Sequence, residues 1–283
     1  MADVLEQFML ELTEDLINNK VQLPTLPEIA LRVKRVLEDD RSTPAQITKM
    51  VSSDTGLCAR LIRVANSSLY GGRAPVKNVH QSITRLGMTK VQNIVNSLVM
   101  EQIYHASAIK ILRPHLQRLW RHSTQVAAIA MVLAQRYTNF SPDQSMLLGL
   151  IHDVGVLPIL TKMENYPDLF NNQSILEGII IDLHEDVGRT ILESWHFPEE
   201  LSNAVAEHDN LMKNNSPTKE LSDVLKVANL LSYLNTNHRH MNTDMQAIPA
   251  FTKLGITPEM GIAAIQEAAS EIQQTQQLLG LGK

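Results

Sequence analysis

The stretch SPDQSMLLGLIHDVGV, from Ser141 to Val156, decides how the chain is read. Ser141 before Pro142 is a helix start: a serine side chain accepts from a free first-turn amide, and proline costs nothing where no amide proton is needed. Met146, Leu147, Leu148, Leu150 and Ile151 then form an apolar run that belongs in a core. The run ends on two adjacent ionisable residues, His152 and Asp153, with Gly155 as the expected end of the helix. Neighbouring side chains on a helix point about 100° apart. The pair can therefore face one ion only where the helix ends, and Gly155 is expected to supply the backbone freedom. A buried imidazole and carboxylate need partners, which a metal ion or a network of polar side chains can provide.

The same helical grammar extends in both directions. Leu5, Phe8, Met9, Leu12 and Leu16 recur at spacings of three and four. Pro24 and Pro27 stop that stripe, and Pro27 opens a helix with Ile29, Val33, Val36 and Leu37 on its buried face. Ser42-Thr43-Pro44 is a cap followed by a first-turn proline. A helix through Leu57, Leu61, Ile62 and Ala65 follows, then a loop at Gly71-Gly72. Val79–Leu86 is a short helix ended by Gly87, with Thr89 capping the next one to about Tyr104. After Arg113-Pro114 a long helix carries Leu116, Leu119, Trp120, Val126, Ile129, Ala130 and Leu133. Glu185–Trp195, Pro198–Asp209, Lys219–Leu234 and a helix after Thr257-Pro258 complete the series. No segment alternates strictly with β-branched enrichment, so the fold class expected is all-α. Arg113-Pro114 is the expected lobe boundary, giving residues 1–113, 114–246 and a C-terminal extension 247–283. The Gln-rich end (Gln273, Gln274, Gln276, Gln277) reads as a solvated helix end or a surface for self-association.

Composition narrows the function classes. The 283 residues are 44% hydrophobic and 19% charged, the balance of a folded globular protein. The single cysteine, Cys58, rules out an internal disulfide and any multi-cysteine metal site, and reads as a buried structural thiol. The densest apolar stretch, Met146–Leu160, is broken by His152-Asp153, and Met1–Leu10 lacks a secretory pattern, so no membrane association and a cytoplasmic location are expected. Residues 1–113 hold 14 basic and 11 acidic side chains, whereas residues 114–283 hold 11 and 19. Between Asp54 and Glu101 every charged side chain is basic. Arg60 and Arg63 share a helix face, and Arg73 and Lys77 flank the glycine loop. This segment is expected to contact either the acidic part of its own chain or an anionic partner. The overall charge of -5 disfavours nucleic acid as that partner.

His122, His152-Asp153, His184 and His208-Asp209 all fall on or at the ends of expected helices. Imidazole and carboxylate donors suit iron, zinc, manganese or nickel. His238 and His240, in the polar stretch Asn235–Thr243, read as exposed loop residues.

Trp120-Arg121-His122-Ser123 followed by His152-Asp153-Val154-Gly155 resembles the HD superfamily of metal-dependent phosphohydrolases. Leu23-Pro24-Thr25-Leu26-Pro27-Glu28, Ala65-Asn66-Ser67-Ser68-Leu69-Tyr70-Gly71 and Ile83-Thr84-Arg85-Leu86-Gly87 narrow the resemblance to the HDOD domain, the HD-related output domain of bacterial signal transduction. That resemblance implies an N-terminal helical lobe on an HD-type lobe, with His122, His152, Asp153, His184 and His208 as metal ligands. It also marks departures. Asn229 stands where catalytic HD enzymes carry an Asp. Val156 stands where the HD-GYP phosphodiesterases carry a Lys, and His208-Asp209 where they carry two histidines. The implied function is a non-catalytic signalling output module acting through a protein or small ligand, with divalent metal at low occupancy or absent. The alternative is a metal-dependent phosphohydrolase of a phosphate ester or nucleotide.

Overall fold

The computed structural model describes residues 2–17, 32, 36, 43–72, 74–105, 110–214 and 216–280. Leu23–Glu28, most of the helix expected after Pro27, and Arg73 lie outside the described residues. Among the described residues there is no strand. The chain is all-α.

The caps expected at Thr43 and Ser141 are in place. Thr43 accepts from the Gln46 amide ahead of α2 (Pro44–Val51), and Gln46 reaches back to the Thr43 amide. Asp54 caps α3 (Thr55–Ala65), and Asn78 caps α4 (Val79–Leu86). α1 (Ala2–Ile17) buries Phe8 and Leu12. The helix after Gly87, α5 (Met88–His105), already includes Thr89, so Thr89 is a first-turn residue rather than its cap.

The motif residues of the first half serve the architecture. Asn66 accepts from the Val76 amide and donates to the Val76 carbonyl, both at 2.8 Å, which pins the loop between α3 and α4. Arg85 donates to the Ala65 and Ala74 carbonyls across the same loop. Tyr70 donates to the buried carboxylate of Asp143, joining this loop to the second half of the chain. α1 also reaches that half: Tyr166 donates to Glu11 at 2.5 Å, and Lys162 pairs with Asp15 at 2.6 Å. Cys58, expected to be buried, is half-buried against the core.

The hub is α6 (Arg113–Tyr137), 25 residues long and almost wholly buried from Ser123 to Ala134. It packs against α5, α7 (Pro142–Ile151), α12 (Leu221–Ser232) and the last two helices, Pro258–Glu267 and Ala269–Leu278. α6 and α7 approach so closely that a β-carbon on Gly149 would lie 2.5 Å from the Ala127 α-carbon. α7 ends at Ile151, and after the turn His152–Gly155 the chain resumes as α8 (Val156–Met163) rather than stopping. The stretch Pro142–Met163 is long and apolar enough to cross a membrane by composition, and most of it is buried inside the protein.

α9 (Pro167–Phe170) is a single turn, and α10 spans Gln173–Ser194. α10 starts twelve residues before the Glu185 boundary read from the sequence, because Asn172 caps it and Gly178 does not interrupt it. α11 (Glu199–Val205) ends before Asp209, which lies in the turn that follows. Helices Pro249–Leu254, Pro258–Glu267 and Ala269–Leu278 (α13, α14 and α15) close the chain. The Gln-rich α15 is docked rather than free: Thr275 and Leu279 are buried, and Ser68 donates to Gln274.

Candidate metal centre

Five side chains from four places in the fold meet in the interior. α6 supplies His122, the turn after α7 supplies His152 and Asp153, α10 supplies His184, and the turn after α11 supplies His208. His152, His184 and His208 are each at most 3% exposed. As expected, the helix end lets His152 and Asp153 converge, with Nε2 and Oδ2 3.2 Å apart.

Gly155 contributes in a different way from the one expected. Its φ of −63° is ordinary for any residue. The requirement is space: a β-carbon there would sit 2.1 Å from the His184 carbonyl oxygen and 2.5 Å from the Gly188 amide nitrogen. Glycine lets α10 cross the turn at backbone contact, and that crossing brings His184 to Asp153.

Three of the histidines are locked in orientation. Nδ1 of His152 lies 2.8 Å from the Gly149 carbonyl, that of His184 2.7 Å from Ile180, and that of His208 2.7 Å from Val205. A carbonyl only accepts, so each Nδ1 carries its proton, which leaves Nε2 of each ring turned to the centre as the atom available to a metal.

The donors form two triangles that share Asp153. In the first, His122 Nε2 and His152 Nε2 are 3.2 Å apart, and they lie 3.6 and 3.2 Å from Asp153 Oδ2. In the second, His184 Nε2 and His208 Nε2 are 3.3 Å apart, and they lie 3.7 and 3.3 Å from Asp153 Oδ1. An ion about 2.0–2.2 Å from its donors holds them about 2.8–3.6 Å apart in octahedral or tetrahedral geometry. Nitrogens this close also need a proton or a cation between them. The donor set fits a divalent transition metal in each triangle, with Asp153 offering one oxygen to each.

Asp209 borders the second triangle, 3.7 Å from His184 Nε2. Three donors hold it: Arg239 at 2.7 Å, His240 Nε2 at 3.0 Å and Asn229 Nδ2 at 3.2 Å. Asn229, at the position of the usual Asp, is buried, and its Oδ1 has no hydrogen-bond partner in the protein. An orphaned buried oxygen beside these donors is a further acceptor suited to a cation.

The surrounding field sets the protonation. Burial drives His122 down to about 4 against the pull of Asp153. Burial also opposes charge on His208, but the hydrogen bond that it donates to Asp153 and the charge of Asp209 outweigh it and hold that imidazole up at about 9. Burial would raise Asp153, yet the charge and hydrogen bond of His152 and the hydrogen bond of His208 keep it well below the usual carboxylate range. Asp209 is likewise depressed: His240 and His208 overcome its burial.

The polar stretch after α12, read as exposed loop from its sequence, folds back over the centre. His240 is buried on Asp209, and His238 stacks on Tyr233 with ring centres 3.6 Å apart. Tyr233 in turn stacks on His122, its hydroxyl 3.1 Å from Nε2. Asp209, Tyr233, Arg239 and His240 are absent from the ligand set the sequence suggests. Only the adjacency of Asp209 to His208 hinted at any of them.

A cleft of about 290 Å³ opens onto His122, Asp153 and His184 from outside. Of the basic residues singled out in the sequence that are described, Arg60, Arg63 and Lys77, none lines it. Arg60 pairs with Glu101 at 2.7 Å and donates to the Leu98 carbonyl. Arg63 lines a separate groove with Arg60 and α15, and Lys77 is exposed outside both.

An all-helical core with His122 on one helix and His152-Asp153 at the end of the next defines an HD-type protein. The chain belongs to the HDOD family: the HDOD domain matches residues 23–211. It is similar over 97% of its length to a Shewanella amazonensis protein named "Putative metal-dependent phosphohydrolase". The two are 28% identical with a TM-score of 0.82, and 99% of that structure is covered. An HDOD domain protein of unknown function from Geobacter sulfurreducens shares the fold at 20% identity and a TM-score of 0.68, over 98% of this chain and 96% of that one. An uncharacterized protein of Treponema pallidum is 22% identical over 74% of this chain, which spans 42% of that protein's length.

Proposed function

We propose that the chain is a signalling module whose HD-type centre binds two divalent transition-metal ions and, above them, a phosphate ester. The observation that carries this reading is the pair of donor triangles, with edges of 3.2–3.7 Å, sharing the carboxylate of Asp153. His122, His152 and Asp153 Oδ2 would hold one ion; His184, His208 and Asp153 Oδ1 would hold the other. Bound ions would supply Lewis acidity toward a phosphoryl oxygen and toward water. Arg118 and Arg239 line the cleft above them and add positive charge where a phosphate would enter.

Binding is favoured over rapid turnover because negative charge among the ligands is scarce. Asn229 offers a neutral amide where a carboxylate would compensate a dication, and Asp209 is already matched by Arg239 and His240. The second reading, slow phosphoester hydrolysis, is supported by the shared Asp153 and by the name of the Shewanella amazonensis relative.

Calorimetric titration of inorganic phosphate into manganese-loaded and chelator-treated protein tests the proposal. Binding by the loaded form alone is expected, and equal heats from both forms would overturn it. Turnover of p-nitrophenyl phosphate that is lost in Asp153→Ala would promote the second reading.

A further inference from the structure

The cleft above the metal centre has a shape and a chemistry of its own. Its two long walls are helix faces that run outward from the ligands. On α6, His115, Arg118 and Leu119 stand seven, four and three residues before His122, which places them on its face. On α10, Leu176, Ile180 and Ile181 precede His184 on the cleft side in the same way. At about 1.5 Å per residue, the α6 wall runs about 10 Å outward from His122.

The polar groups are not spread evenly. Arg118 is one turn from His122, and Arg239 is held beside the centre by Asp209. Level with Arg118, the side chains of Leu119, Ile180 and Ile181 form apolar walls that Leu176 extends outward, and Ile181 is 38% exposed. Val156 lines the cleft three residues from Asp153, so this edge of the centre is apolar as well. On the α10 side, one turn outward from Ile181, is a carboxylate, Glu177. Positive charge is therefore concentrated at the inner end, and a negative charge stands farther out.

Resting on the reading of the centre as a phosphate site, we infer that the cleft selects a phosphate monoester with one inner phosphate and a large apolar or aromatic body. The body lies between Leu119 and the α10 wall. A second phosphate at the outer end would face Glu177 and is disfavoured.

The test uses phosphonates, whose carbon–phosphorus bond resists hydrolysis, titrated calorimetrically into the manganese-loaded full chain. 1-Naphthylmethylphosphonate is expected to bind about tenfold more tightly than methylphosphonate, the gain from burying roughly 60 Å² of apolar surface. Ile181→Asn, at an exposed position that the fold does not depend on, should erase most of that advantage and leave methylphosphonate affinity unchanged. Arg118→Ala should weaken both ligands by a similar factor. Equal affinity for the two phosphonates in the wild-type protein would overturn the inference while leaving the phosphate site standing. If neither phosphonate binds the loaded protein, the reading beneath it fails as well.

Discussion

Replacing Gly155 with alanine tests how the fold assembles the centre. The added methyl would lie 2.1 Å from the His184 carbonyl oxygen and 2.5 Å from the Gly188 nitrogen, where ordinary contact begins near 3.4 Å. Both obstacles are backbone, so neither can rotate aside. Relief requires α10 to move away from the His152–Gly155 turn by about 1 Å, the scale of the overlap. Overpacking of this kind costs typically 1–3 kcal/mol, and a backbone clash on this scale belongs at about 3. For a chain of this size that corresponds to a fall in Tm of roughly 6–12 °C. The displacement also carries His184 away from Asp153, so the second triangle should open while His122, His152 and Asp153 keep theirs. Differential scanning calorimetry reads the stability, and metal titration reads the number of sites. A Gly155→Ala protein with unchanged Tm and two intact sites would refute the claim that this crossing positions His184. Gly149→Ala, which clashes with Ala127 on the other side of α7, should lower Tm without selective loss of the second site.

Other consequences can be measured independently. Asn229→Asp adds a carboxylate beside the ligands and should raise metal affinity, read by competition with a chromophoric chelator; unchanged affinity would place position 229 outside the ligand sphere. A dication at His208 must displace the proton that this imidazole holds up to about 9. Apparent metal affinity should therefore rise with pH from 6 to 9 by up to about tenfold per unit and then level off, with proton release seen in different buffers. By the same sign, the His208 proton contributes stability below pH 6.5 that is lost as pH rises through 9, so protein stripped of metal should weaken across that window. Tyr70→Phe leaves the buried Asp143 carboxylate without its phenol donor and should cost about 1–3 kcal/mol in urea unfolding.

Much of this was legible in the chain. The Thr43-Pro44 and Ser141-Pro142 starts are local cap chemistry, and local chemistry survives folding. His152 and Asp153 were visible because a polar pair ending a dense apolar run must be buried, and His122 through the resemblance carried by Trp120–Ser123. The start of α10 was obscured by Gly178 and the run Ile179–Ile181, which break a clean amphipathic stripe. The stripe is blurred because α10 is apolar both toward the cleft, at Ile180 and Ile181, and toward the core, at Ile179. The part played by Asn235–Thr243 could not be read locally. Its polar composition is that of a solvated loop, and only the tertiary path sets Arg239 and His240 on Asp209. Gly155 shows the same limit: a glycine signals freedom of φ in sequence, whereas here it is needed for contact with a helix about thirty residues away.

The central claim is that Asp153 joins two metal sites. Elemental analysis of this chain, purified without chelator or affinity metal and then equilibrated with manganese or iron, addresses it directly. The account predicts about two ions per chain, falling to one or fewer in Asp153→Asn with the helical circular dichroism spectrum preserved. A wild-type protein that takes up no metal, or an Asp153→Asn protein that still holds two ions, would contradict it.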